Sequence, residues 1–258
     1  MTGLNLIQEY LSDTDEEIEN SNNENKKLFK DKNINIKLPL PESILSWKGV
    51  TYNEEVIDDP LKHDGRIRSF KHERGNWATL VYIDYLPSDN ILFWMKNVII
   101  HFVGTSNLFE EFHMSLTRTL ILKFHWIDSF VEAVKNIATN YQNFSIELQS
   151  IKIYCNEDAT RTFVGITVQS TNNILQNIIR TLDKLMTDYQ LPIYYKDASY
   201  HISFLWCLGD QRKKLEALLP SLIANFNDFF VDHPDQRYVQ IDKLKCKIGN
   251  KLYNFNLQ

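Results

Sequence analysis

The chain is poor in residues that break structure and in residues that cross-link it. Its 258 residues include 8 Gly and 7 Pro. That is too few for a collagen-like or linker-like chain, and no short unit recurs at a fixed period as in a solenoid. The three cysteines, Cys155, Cys207 and Cys246, lie far apart with no C-x-x-C spacing. They read as reduced core thiols rather than a disulfide framework, which suits a reducing compartment, the cytosol or nucleus. No apolar run reaches the ~18 residues of a helical membrane span, so no membrane partner is expected. The N-terminus has neither a signal-peptide apolar region nor the arginine-rich, acid-poor character of a transit peptide.

Basic residues are missing from the first 25 positions, which carry Glu9, Asp13, Asp15, Glu16, Glu17, Glu19 and Glu24. That stretch contributes −7 to a whole-chain charge of −5, leaving +2 for the rest. The remainder is therefore mildly basic and compatible with a polyanionic partner. The acidic, Asn-rich run SDTDEEIENSNNEN has little to bury, and residues 1–40 are expected to be a disordered tail. Residues 41–258 are expected to form one domain of two lobes. A hydrophobic content of 43% and an aromatic content of 12% supply the core,.

Periodicity then orders the elements. TLVYIDY reads as a buried strand, and Ser88 or Asp89 can cap a helix running to about Val98. Apolar residues from Trp126 to Tyr141 and from Ile174 to Met186 recur at helical spacing. SIELQSIKIYCN and RTFVGITVQS read as two strands joined by a polar turn. A third helix over Leu215–Phe226 must accommodate Pro220. Strands in YVQIDKLKCKI and KLYNFNL close the chain around the turn Gly249-Asn250. The class is α+β, and the recurrence of a motif-bearing strand in each half hints at a duplicated unit.

That motif is the centre of interest. EFHMSLTRT holds His113 and Ser115, and SYHISFLWC, 88 residues on, holds His201 and Ser203 in the same relation. In a strand, residues i and i+2 share a face. His113, Ser115 and Thr117 should therefore point one way, with Phe112, Met114 and Leu116 toward a core. His201 and Ser203 should likewise oppose Tyr200, Ile202 and Phe204. If the two strands face one another, two imidazoles and two hydroxyls converge on one cavity. A neutral His can take a proton from a ribose 2′-hydroxyl while a protonated one gives a proton to the departing 5′-oxygen. The hydroxyls can hold the phosphate oxygens. Zinc fits poorly, because neither pair brings a third ligand at metal spacing. A serine nucleophile fits poorly too, because no glycine-rich elbow surrounds Ser115 or Ser203.

In these residues the sequence resembles the two-histidine phosphoesterase superfamily, whose hallmark is a pair of H-x-[ST] motifs. Within it the likeness is to the U6 small nuclear RNA phosphodiesterase family. The likeness is carried by Gly65–Phe70, Arg74–Thr79, His113–Leu116, His125–Ile127, Lys152–Tyr154, Arg161–Gly165, His201–Ser203 with Trp206, Gly209-Asp210, Cys246-Lys247 and Gly249–Lys251. The resemblance implies a bilobal fold of two pseudo-symmetric lobes, antiparallel sheet flanked by helices, with both motifs at a central groove. It implies a nuclear 3′-to-5′ exonuclease, monomeric and without metal or other cofactor, that trims the uridine tail of U6 RNA. The product end is a 2′,3′-cyclic phosphate, opened to a linear one in some members.

By that pattern His113 is the proton acceptor and His201 the donor, with Ser115 and Ser203 on the phosphate. Tyr195 stacks on a base, and Asp197, Ala198, Ser199, Tyr200, Ile202 and Met114 complete the substrate pocket. Arg66, Arg68, Lys71 and Arg74 are candidates to track the RNA backbone. Leu80 stands where the family often has His, and Phe204-Leu205 replaces a smaller pair. Both departures bear on groove shape. A related enzyme acting on the cyclic ends of other RNAs, or an RNA-binding module without catalysis, are the competing readings.

Overall fold

The structure, a computed structural model, describes residues 41–42, 46, 59–65, 70, 73–100, 106–196 and 199–258. Residues 1–53 and 54–258 form separate units. In the first, the Ser46 amide donates to the Glu42 carbonyl at 2.8 Å. The expected tail over residues 1–40, and Arg66, Arg68 and Lys71, lie outside the described residues.

The second unit begins with β1 (Asn76–Tyr85), α1 (Asp89–Ile100), β2 (Ser106–Leu108), β3 (Phe112–Ser115), β4 (Leu120–Lys123) and α2 (Ile127–Ala138). It continues through β5 (Phe144–Cys155), β6 (Arg161–Ser170), α3 (Ile174–Asp188), β7 (His201–Leu208), α4 (Arg212–Glu216) and α5 (Leu219–Asp232). Strands β8 (Tyr238–Ile241), β9 (Lys243–Ile248) and β10 (Lys251–Asn256) complete it. The expected capping at Ser88 is present, its hydroxyl accepting from the Ile91 amide at 3.3 Å,. Among the described residues no helix is long and apolar enough to cross a membrane.

All ten strands join one antiparallel sheet in the order β10-β9-β1-β3-β7-β6-β5-β8, with β2 beside β7 and β4 beside β1. One apolar face is continuous across it. Ile83 opposes Met114, Met114 opposes Ile202, Ile202 opposes Ile166, and Ile166 opposes Ile151. Each of these five is at most 3% exposed. The helices bury their apolar stripes in the same core, α2 with Phe130 and Val134, α3 with Leu175, Ile178 and Leu182, α5 with Leu222 and Phe226. Burying such side chains contributes about 1.5–3 kcal/mol each. Cys246 is fully buried, which pushes its thiol up to about 12. All three cysteines are free.

Two elements depart from the sequence reading. The single helix across Pro220 is two helices, α4 and α5, and Pro220 sits in the first turn of α5. There its missing N–H has no intrahelical partner to lose, whereas in a helix interior it would cost about 3 kcal/mol. The closing run YVQIDKLKCKI is also split. β8 pairs with β5 at one sheet edge, while β9 pairs with β1 and β10 toward the other.

The turn at Gly249-Asn250 joins β9 to β10 with Ile248 opposite Lys251. Gly249 has φ +58°, and a Cβ there would lie 2.8 Å from Trp77 Cε3. Gly249→Ala should therefore lower stability by about 1–3 kcal/mol, from backbone strain and displacement of the indole. A denaturant midpoint that does not move would contradict this packing.

Candidate active site

β3 and β7 are neighbours, and their meeting point is Met114 opposite Ile202. This register sets His113 across from Ser203 and Ser115 across from His201. Strand alternation puts Phe112, Met114, Ile202 and Phe204 in the core and leaves the two His and two Ser half-buried on the other face. Opposed side chains on one face have Cβ atoms about 4.5–5.5 Å apart, and diagonal neighbours lie about 7–8 Å apart. The imidazoles thus occupy diagonal corners of a four-residue patch, each beside a hydroxyl. The motif strands were expected to face one another; instead they lie side by side, and convergence comes from hydrogen-bonded pairing.

The flanking strands complete the surface. On one side β1 sets Asp84 opposite His113 and Tyr82 opposite Ser115. On the other, β6 sets Gly165 opposite Ser203 and Thr167 opposite His201, and β5 sets Lys152 opposite Gly165.

The two rings are held differently. His201 Nδ1 lies 2.7 Å from the Ser199 carbonyl oxygen. A carbonyl only accepts, so Nδ1 carries the proton and Nε2 is the atom left for chemistry. Tyr154 lies face to face with this ring, centroids 3.6 Å apart and planes 15° apart. The Tyr154 hydroxyl and Ser199 Oγ are hydrogen-bonded at 2.8 Å. His113 has Tyr82 edge-on, centroids 5.3 Å apart at 67°. Its neighbour Asp84 is ion-paired with Lys245 of β9.

Burial pushes both imidazoles below their ordinary pKa of 6.5,. At His113 the Asp84 and Glu111 carboxylates oppose this and Lys247 reinforces it. At His201 the bond to Ser199 opposes it, while Lys152 and His113 itself reinforce it. The rings are therefore neutral together at pH 7, and protonating either makes the other harder to protonate.

Other expected residues divide. Tyr195 is 48% exposed, and the Arg118 guanidinium carbon sits 4.0 Å from its ring centroid while Arg118 also ion-pairs with Glu157. Ser199 serves His201 and Tyr154, and the Tyr200 carbonyl accepts from the Val168 amide at 2.9 Å. Asp197 and Ala198 lie outside the described residues. Met114 and Ile202 are 1% and 0% exposed, their side chains in the core where alternation placed them, so a part in a substrate pocket would fall to their backbone.

Thr117 is a correction, buried rather than on the face of His113 and Ser115. β3 ends at Ser115, and Thr117 Oγ1 instead accepts from the Val81 amide at 3.1 Å. Sequence reasoning missed the parts played by Tyr154, Gly165, Tyr82 and Arg118. The first two stood inside the stretches that carry the family likeness, but only the sheet order brings a β5 tyrosine to a β7 histidine. Among the described residues no three His, Cys, Asp or Glu side chains are grouped to hold a metal.

The depressed pKa values fix a sign. As pH falls below 6.5 the unfolded chain takes up protons before the folded one, so stability should be lost as pH drops through the two folded values,. Imidazole resonances followed by NMR should give both midpoints below 6.5 in the free protein. A midpoint above 6.5 for either ring would contradict burial as the controlling influence.

Comparison with known proteins identifies the family. A family model described as "HVSL: Uncharacterised conserved protein" matches residues 38–256. The U6 snRNA phosphodiesterase 1 of Bos taurus is 36% identical over 225 residues, covering 86% of this chain and 84% of the relative. That of Drosophila melanogaster is 35% identical over 228 residues, covering 86% and 83%. In fold, the chain is similar to the solved structure of Kluyveromyces marxianus Usb1 with uridine monophosphate. The TM-score is 0.52 at 12% identity, over 69% of this chain and 98% of that one. Identity above 30% across most of both lengths makes the relationship plain: the chain belongs to the U6 snRNA phosphodiesterase family.

Proposed function

We propose that this protein is a 3′-to-5′ RNA exonuclease that trims the oligouridine tail of U6 snRNA by acid–base transesterification. The observation that carries the reading is the β3–β7 register, which gathers two desolvated imidazoles and two hydroxyls on one face of the sheet. The substrate class rests on the relatives, which are named for U6 snRNA. The reading includes the two-lobed organisation. Strands β10-β9-β1-β3 and β7-β6-β5-β8 make the halves, each contributing one motif strand to the contact.

In the first step His113 takes the proton of the penultimate 2′-hydroxyl, and that oxygen bonds to the adjacent phosphorus. The bond from phosphorus to the terminal 5′-oxygen breaks, and His201 Nε2 delivers a proton to the departing oxygen. The RNA is left one nucleotide shorter with a 2′,3′-cyclic phosphate, and the proton has in effect moved between rings. Water attack on the cyclic end reverses the roles, His201 accepting and His113 donating, which yields a linear phosphate and restores both rings. Ser115 and Ser203 donate to the non-bridging oxygens as charge grows there. Tyr195 stacks on a terminal base, an interaction worth about 1–3 kcal/mol. No metal or other cofactor enters these steps, and the protein acts as a monomer in the nucleus, where its substrate is processed.

A single deoxynucleotide at the attacking position of a 3′-oligouridine RNA should block cleavage, because it removes the internal nucleophile. Unchanged trimming of that RNA would sink the mechanism. His113→Ala and His201→Ala should each lose about 10²–10⁴-fold in kcat while RNA affinity stays within a few-fold. EDTA should leave the rate unchanged; abolition by chelator would refute the metal-free account. RNA binding without cleavage by the parent protein would favour a non-catalytic module.

A further inference from the structure

The half of the site around His201 contains a construction that the reaction itself does not use. His201 and Tyr154 belong to strands separated by β6, so a tyrosine on β5 reaches a histidine on β7 only by leaning across an intervening strand. It does so over Gly165. A Cβ at Gly165 would lie 3.0 Å from His201 Cδ2, 3.2 Å from Tyr154 Cε2 and 3.3 Å from the Ile202 carbonyl oxygen. A Cβ there would crowd both rings and the Ile202 carbonyl at once. The missing side chain is what allows centroids 3.6 Å apart with planes within 15°.

The phenol is tied at its far end as well. Its hydroxyl bonds Ser199 Oγ at 2.8 Å, and the carbonyl of the same Ser199 holds His201 Nδ1 at 2.7 Å. Two restraints therefore act on one imidazole: a hydrogen bond at Nδ1 resists its flipping, and the stacked ring resists its tilting. Both run through Ser199, so the phenol, the serine and the imidazole form a closed loop. Among the described residues no ring stacks face to face on His113. Its aromatic neighbour Tyr82 meets it edge-on at 67°.

We infer that Tyr154, admitted by Gly165 and anchored through Ser199, is a positioning residue that fixes the plane of His201 so that Nε2 faces the reacting phosphate. It touches no substrate atom in the reaction. A general acid acts only from correct geometry, and a misplacement of about 1 Å can cost about 10²-fold in rate. A flat phenol face also tolerates the ring in its charged state, so the clamp holds through the whole proton cycle.

This inference rests on the exonuclease reading for its kinetic arm and stands without it for its spectroscopic arm. The full-length chain is compared with Tyr154→Phe, Tyr154→Leu and Gly165→Ala, using a 3′-oligouridine RNA and 15N NMR of the His201 ring. Tyr154→Phe keeps the stack and should retain kcat within about threefold. Tyr154→Leu should lose about 10²-fold in kcat with KM within about threefold, and its His201 ring nitrogens should average between tautomers where the parent shows one. Gly165→Ala keeps both aromatic side chains but crowds their rings apart, so it should show the same split between kcat and KM. It decides the matter where Tyr154→Leu does not fold.

Tyr154→Leu or Gly165→Ala with parental kcat and a single His201 tautomer would overturn the inference. Loss of kcat in Tyr154→Phe as large as in Tyr154→Leu would overturn the stacking role. A parent that shows one tautomer yet cleaves no RNA would sink the exonuclease reading and leave the clamp standing.

Discussion

The pairing of Met114 with Ile202 fixes everything that the site can do. Because strand side chains alternate with period two, a slip of one residue of β3 against β7 would send His113 and Ser115 into the core, expose Phe112 and Met114, and part the two motifs. What prevents the slip is the continuous buried row of Ile83, Met114, Ile202, Ile166 and Ile151, locked in register through five strands. Each member resists displacement by the transfer free energy of an aliphatic side chain, about 1.5–3 kcal/mol, and the members act together. The apolar face therefore positions the polar one. Placing the candidate catalytic groups on central strands also gives them a precision that loops do not offer.

The same burial sets the protonation problem that the site has to solve. General acid–base chemistry needs one ring charged and one neutral, yet desolvation favours two neutral rings. The surroundings leave each ring a way back. His113 has carboxylates nearby, Asp84 and Glu111, that favour its charged form. His201 has a carbonyl on Nδ1, which accepts equally well from the imidazolium. In the proposed reaction, a substrate phosphate at the centre supplies the negative charge that tips the balance. Lys245, paired with Asp84, shares that carboxylate with His113.

Much of this was legible in the sequence, and the boundary of legibility has a physical cause. Alternation and helical periodicity are local, so the faces of the motif strands and the spans of α1, α2, α3, β5 and β6 could be read directly. Strand adjacency is not local: nothing near His113 or His201 says that their strands touch side by side rather than across a groove. Thr117 shows a local rule outliving its element, since alternation was extended two residues past the end of β3. Pro220 was seen as an obstacle within a helix because the periodic leucines on both sides hid the break. Tyr154 and Gly165 stood in view as parts of the family likeness, but their roles depend on three strands lying in the order β5-β6-β7.

The distribution of rigidity follows from what each part must do. Both histidines are on strands, and His201 is clamped twice. Tyr195 sits in the segment between α3 and β7, 48% exposed, with Arg118 against its ring. Arg118 follows β3 by three residues, so the ring proposed to hold the RNA end is tethered to the strand of the first motif although it lies just ahead of the second. Stacking worth about 1–3 kcal/mol tolerates some movement of the base, whereas proton transfer does not tolerate movement of the ring. A site built this way suits the proposed trimming, in which successive nucleotides of an RNA 3′ end are accepted while the geometry of bond making and breaking stays constant.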